Sequence, residues 1–299
     1  YSMKAELDCI SCILDDVAGA VKLMPISADQ RNEIMQQCMK MMANQFDLNS
    51  VPSKYITEVH RIAKRISGIE VPFESLRKAC NRVGLKLSEV VEKEASKIKD
   101  PFKRFRFLVR WAIAGNHIDF RTVGTGYDVD FSSIEEMIRK PFDKDLSVDQ
   151  TPQIFEAVKK SKMILYVHDN VGEIALDKLL IKELRTYAQK IISALRGGAI
   201  TSDATIEDGN EVGIPEVASE VILACGDTLG VAWEERTPEF KNALDSADLV
   251  IVKGQANYYV FSEHRNEINC PVADLFSTKC DVVASKFNLK GAVNIATLL

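Results

Sequence analysis

From Met163 onward the chain alternates short apolar runs with helix-patterned segments, and few folds accommodate that alternation. The runs are MILYV at 163 to 167, KIISAL at 190 to 195, VILAC at 221 to 225, LVIVK at 249 to 253, and a last pair around CPVADLF and DVVASKF. Runs this short, separated by helix-length segments, predict an α/β fold: a doubly wound, mostly parallel sheet with helices on both faces. The preceding residues have another texture. Leu7, Ile10, Leu14, Val17, Val21 and Met24 recur at three- and four-residue steps, the spacing that lines one face of a helix, and Pro25 marks its stop. Ser27 opens a second helical pattern over 27–46, whose methionines read as core filler. Further helices are predicted over 53–66, 72–83, 87–98 and 101–114. The expected organisation is therefore a helical N-terminal region, residues 1–115, and an α/β core, residues 116–299.

In an open α/β sheet, ligands gather at the carboxyl ends of the strands, near a switch in strand order. The first run ends on His168, Asp169 and Asn170, with Gly172 and Glu173 at the start of the next helical pattern. The second is followed by Gly197, Gly198 and TSDATIEDG, which carries Asp203, and the fourth by KGQANY, with Lys253, Gly254, Gln255 and Asn257. Asp169, Asn170 and Asp203 offer an oxygen-only donor set that suits a hard divalent cation. Lys253 beside a glycine, and the free N–H groups of a helix starting near Gly172, suit a phosphate. Together these features point to phosphoryl transfer. Each also has a structural reading. Asp169 and Asn170 fit a helix cap, Asp203 could cap another helix, Glu173 could complement a helix dipole, and Lys253 could be a solvated lysine. His168 is read as a structural residue rather than a general base.

Several classes are disfavoured. A net charge of -5 argues against a nucleic-acid partner, and the basic cluster KDPFKRFRFLVR at 99–110 reads as one solvated helix face. No apolar segment reaches the roughly 20 residues of a membrane span, and YSMKAELDC lacks the order of a signal peptide, so a soluble cytoplasmic protein is expected. Seven scattered cysteines do not suggest a disulfide framework. There is no HExxH, no GxSxG, no GxGxxG after a strand and no P-loop. Cys9 and Cys12 form a lone CxxC, which is half a zinc site at most. Core-packed cysteines are the leading reading, with a redox pair or a thiolate contribution near the site as the alternatives.

The stretches AGNHIDF, HDNVGEIALDKLLIKEL, RGGAITSDATIEDG and ADLVIVKGQANYYVF, in this order, resemble the metal-dependent damage-control phosphatases. This family, long known as a domain of unknown function, includes the ARMT-type phosphatases, and LDCISC is similar to its microbial branch with an N-terminal CxxC. The resemblance implies a divalent cation, Mn²⁺ or Ni²⁺ before Co²⁺ or Mg²⁺, held by Asp169, Asn170 and Asp203. It implies that Lys253 and Glu173 face the phosphate, with Asn116 and Asp119 close by and Asn257 at the substrate. One departure stands out: Tyr259 occupies a position that is commonly acidic in related sequences. The implied function is metal-assisted attack of water on phosphate monoesters of small metabolites, such as damaged or side-product sugar phosphates or nucleotides. The rivals are a non-enzymatic sugar-phosphate or nucleotide sensor and a protein-carboxylate methyltransferase. The latter lacks a Gly-rich strand end for its cofactor.

Overall fold

The computed structural model describes residues 3–118 and 131–299, with the side chains of 131–134 set aside. Five helices come first: α1 (Asp8–Leu23), α2 (Ala28–Gln45), α3 (Pro52–Ser67), α4 (Glu74–Ala95) and α5 (Pro101–Ala114). After α6 (Phe131–Asp143) come β1 (Leu146–Asp149), α7 (Thr151–Lys160), β2 (Met163–Val167), α8 (Glu173–Leu184) and β3 (Lys190–Arg196). Next are α9 (Ile206–Val212), β4 (Glu220–Cys225), α10 (Pro238–Ser246), β5 (Leu249–Lys253) and α11 (Gln255–Glu263). The last elements are β6 (Val272–Ser277), α12 (Asp281–Ser285) and β7 (Asn294–Leu298). No helix among the described residues is long and apolar enough to cross a membrane.

The strands form one seven-stranded sheet in the order β1-β7-β6-β5-β2-β3-β4, parallel except where β6 meets β7. The four runs at β2 to β5 appear where the sequence places them. β5 is buried along its whole length and β2 and β3 along all but their first residue, which explains their unbroken apolar character. The chain winds outward from β2 to β3 and β4, then returns to lay β5 on the other side of β2. The crevice of this switch in direction opens at the ends of β2 and β5.

Three expectations are corrected. DVVASKF supplies the short helix α12 rather than a strand, and the last strand, β7, lies beyond it. The helices expected over 72–83 and 87–98 are one continuous helix, α4, with Gly84 in its middle. A glycine there costs about 1 kcal/mol relative to alanine. The reason for it is tertiary: a Cβ at Gly84 would lie 2.1 Å from the carbonyl oxygen of Gly172, so only glycine lets α4 cross the start of α8 this closely. Finally, the packing does not divide at residue 115. Ile13, Val17, Ile34, Tyr55 and Val59 of α1 to α3 form their own core, whereas Leu87, Val91, Phe105 and Trp111 of α4 and α5 share the core of the sheet. The helices of the sheet's own covering layer thus begin at α4.

Polar contacts fasten α3 over the carboxyl ends of β3 and β4. Lys64 donates to the carbonyl of Ala199 (2.9 Å) and to Asp227 (3.1 Å), Arg61 pairs with Asp227, and the amide of Leu229 donates to Thr57 Oγ1. Two arginines of the basic face of α5 are ion-paired within the fold, Arg104 on Glu183 and Arg106 on Asp145 and Asp149.

Candidate active site

The pleat of β2 decides what lies on each side of its end. Tyr166 and His168 turn toward α8, where the Tyr166 hydroxyl donates to Asp177 (2.8 Å) and His168 Nδ1 meets the same carboxylate (2.9 Å). His168 Nε2 meets Ser193 Oγ at 3.1 Å, so both ring nitrogens of this fully buried residue are engaged, in keeping with a structural role. Asp169, one residue on, lies against Gly254 at the end of β5. A Cβ on Gly254 would fall 1.8 Å from Asp169 Oδ2, and its φ of 85° is one that L side chains rarely adopt. Asp169 Oδ2 accepts from Asn116 Nδ2 (2.9 Å) and Asn170 Nδ2 (2.7 Å). The same two amides donate to Glu173 Oε2 at 3.0 and 3.2 Å. That orientation turns Asn170 Oδ1 outward, where it accepts from the Ser202 hydroxyl (2.7 Å).

A bridge between Asn170 and Asp203 brings the end of β2 beside the loop after β3. Asp203 Oδ2 accepts from Arg196 (2.8 Å) and from the amide of Gly230 (2.7 Å), while Asp203 Oδ1 is buried with no hydrogen-bond partner among the described residues. The capping alternatives fall away here. The N-cap of α8 is Gly172 with no side-chain cap, and α9 is capped by Thr205 in a box with Asp208. Asp169, Asn170 and Asp203 thus cap neither helix. Burial, then the charges of Glu173 and Asp203, push the Asp169 carboxyl well above the usual carboxylate range. Burial also raises Glu173, although the Lys253 ammonium pulls it back. Crowded carboxylates and an orphaned Asp203 oxygen fit a small hard cation among Asp169, Asn170 and Asp203. Among the described residues no three His, Cys, Asp or Glu side chains form a metal-holding group, and this set has only two carboxylates, its third donor being an amide.

Residues 5–293 match the family described as "Damage-control phosphatase ARMT1-like domain". The chain belongs to this family. An uncharacterized protein of Methanocaldococcus jannaschii is 32% identical, over 98% of this chain and 95% of that one. Sequences named damage-control phosphatase from Pyrococcus horikoshii (30% identical, 97% of each chain) and Archaeoglobus fulgidus (29%, 94% of each) are similar over comparable lengths. The crystal structure of a DUF89 family protein from P. horikoshii superposes with a TM-score of 0.87, at 28% identity over 99% of each chain. As a member of the damage-control phosphatase family, the protein is a phosphatase, a hydrolase of the α/β class.

Within this phosphatase fold, three residues expected at the phosphate or the substrate have protein partners. Lys253 is fully buried, and its three ammonium hydrogens meet three acceptors: Glu173 Oε1 (2.5 Å), Asp177 Oδ1 (2.8 Å) and the carbonyl of Ala112 (2.8 Å). Burial alone would depress it, but Asp177 and Glu173 hold it above its ordinary value. The amide of Gly172 donates to Asn81 Oδ1 (2.9 Å) beneath α4, so the start of α8 is covered by protein. Asn257 clamps three segments together: Oδ1 accepts from the amide of Val231, and Nδ2 donates to the carbonyls of Lys253 and His168. Asn116 stands at the site through Asp169 and Glu173, and Asp119 lies outside the described residues.

Sequence reasoning passed over Ser202, Arg196, Asp274 and Lys279. Lys279 is exposed just after β6, and its charge pulls on the Asp169 carboxyl. The strand-end rule applied to CPVADLF would have found it. Asp274, inside β6, is fully buried, and neither carboxylate oxygen has a hydrogen-bond partner among the described residues. Burial first, then the Asp169 charge, pushes its carboxyl far up. The native state thus keeps a proton that the unfolded chain releases above pH ~4, and stability falls as pH rises between the two pKa values. Asp274→Asn removes that loss. In chelator, its stability gain over the parent is expected to be near zero below pH ~4 and to grow by about 1.4 kcal/mol per pH unit up to the native pKa. Urea denaturation at several pH values reads it, and a gain independent of pH would contradict the assignment.

Proposed function

We propose that the protein hydrolyses phosphate monoesters of small damaged or side-product metabolites, sugar phosphates or nucleotides, with a divalent cation held by Asp169, Asn170 and Asp203. The observation that carries this reading is the buried Asp203 Oδ1, which has no hydrogen-bond partner among the described residues, on a residue whose backbone bridges to Asn170, beside the charge-strained Asp169 at the strand-order switch. When bound, the cation supplies positive charge to a phosphate oxygen and lowers the pKa of a water. The protein's own residues do the rest. Asp169 and Glu173 hold the Asn170 amide nitrogen, which leaves the Asn170 oxygen, now with the Ser202 hydroxyl, as the donor it would offer. Lys253 balances Glu173 and Asp177 from below, a positioning role. Lys279, exposed after β6 and near enough for its charge to pull on the Asp169 carboxyl, would meet the substrate phosphate and stabilise charge on its oxygens. Water is preferred as the nucleophile over Asp169, because Asn170 and Val171 follow where an aspartyl-phosphate enzyme would show a second aspartate two residues on.

The test is phosphate release from an aryl phosphate. Chelation is expected to abolish turnover, and adding back Mn²⁺, Ni²⁺, Co²⁺ or Mg²⁺ to restore it, Mn²⁺ or Ni²⁺ best. Undiminished turnover in chelator would refute the cation, and tight phosphate binding without turnover under any metal would favour a sensor.

A further inference from the structure

One face of α4 reaches both loops that carry the donor set. Arg77, Asn81 and Gly84 follow at steps of four and three, the spacing that keeps side chains on one side of a helix. Gly84 packs on the carbonyl of Gly172 and Asn81 Oδ1 accepts from the Gly172 amide, so the turn after Asn170 is held by α4. Arg77 is buried and serves the other loop. Its guanidinium donates to the carbonyls of Thr201 (2.5 Å) and Asp203 (2.7 Å), while the carbonyl of Ser202 between them accepts from the amide of Val171 (2.8 Å). The amide of Ala204 then donates to the carbonyl of Asp169 (2.7 Å), so the two loops are laced together at both ends of the Asn170–Asp203 bridge. Asp208, which closes the capping box of α9, accepts from Arg77 through Oδ2 and from Asn81 through Oδ1 (3.0 Å), and thereby joins the two α4 side chains. The planar fork of a guanidinium can meet two carbonyls and a carboxylate at fixed angles, which the point charge of a lysine cannot.

We propose that Arg77 is a positioning residue for the Asn170–Asp203 pairing: with Asn81 and Asp208 it holds the 201–203 loop against the end of β2 before any cation arrives. It acts on Asp203 through the backbone, since the Asp203 carboxylate itself is met by Arg196 and the amide of Gly230. Its charge is balanced by Asp208 and is not aimed at the donor oxygens. A cation that finds its donors already placed does not have to order them, so loss of the fork appears as weaker cation binding. That consequence rests on the cation reading proposed above, whereas the preformed loop does not.

The experiment is amide hydrogen exchange of the full chain in chelator, read by NMR at Val171 and Ala204, with Arg77→Lys beside the parent. The lysine keeps a charge for Asp208 and loses the fork. In the parent, both amides are expected to exchange as slowly as those of β3 with no cation present. Free exchange there would overturn the proposal on the parent chain alone, whether or not the variant folds. In Arg77→Lys the two amides should exchange several-fold faster while β2 and β3 keep their protection. Unchanged protection, or equal acceleration throughout the sheet, would also overturn it. Titration with Mn²⁺, followed by the EPR signal of the free ion, should give a Kd about tenfold higher for the variant. Equal affinity in the two proteins would mean that Arg77 does not position the donors. A parent that bound no Mn²⁺ would sink the cation reading, and the exchange rates would still decide the role of Arg77.

Discussion

Asp169→Asn is expected to lower kcat/KM for an aryl phosphate by about 10³-fold while making the cation-free protein more stable. The first effect follows from losing a charged donor whose cation supplies several kcal/mol of transition-state stabilisation. The second follows from the surroundings. Asp169 is buried against Glu173 and Asp203, and both repel its charge. A neutral amide of the same shape still accepts from Asn116 and Asn170 through its oxygen. Opposite movement of activity and stability marks a residue held in place for function rather than for folding. Steady-state kinetics with saturating Mn²⁺ and thermal melts in chelator check the two halves. Activity within tenfold of the parent, or a clear fall in melting temperature, would contradict the assignment.

What the sequence reveals of this site, and what it hides, follows from the geometry of a strand. Runs such as MILYV and LVIVK are legible because both of their faces are buried, and the residues after them mark the carboxyl edge of the sheet. That suffices to gather Asp169, Asn170 and Asp203. It does not say which face of the sheet a strand-end side chain takes. Lys253 and Gly254 are neighbours in sequence, yet Lys253 reaches Glu173 and Asp177 on α8 while Gly254 meets Asp169. One step of the pleat separates a phosphate ligand from a buried counter-ion. Gly84 shows the complementary failure. Read locally it suggests a helix boundary, but its cause is the backbone of Gly172, 88 residues away in the chain and touching it in space. β1, at one edge of the sheet, and its neighbour β7 carry no unbroken apolar run of the kind that marks the centre of the sheet.

Lys253→Met should separate the counter-ion role from the phosphate role most sharply. If Lys253 touched the substrate phosphate, methionine would raise KM and leave the fold nearly unchanged. The structure leads to the opposite result. Glu173 and Asp177 are each fully or almost fully buried, and removing the ammonium leaves two buried carboxylates without their counter-ion. Breaking one partner of a buried ion pair costs about 3–5 kcal/mol, and here one cation serves two anions. The pH dependence has a definite sign. Although burial opposes it, Lys253 and His168 hold the Asp177 carboxyl below its ordinary range. Its stabilising contribution is therefore present above the unfolded pKa, near pH ~4, and is lost as pH falls through the lower native value. In the variant that depression is lost and the carboxylates take up protons, so the deficit relative to the parent should be largest at neutral pH and shrink toward pH ~4. Adding Glu173→Gln to Lys253→Met removes one of the two stranded charges and should recover part of the loss, a non-additivity that a double-mutant cycle in urea measures. Strict additivity, or a deficit that grows on acidification, would mean that the lysine's charge is not what Glu173 and Asp177 require.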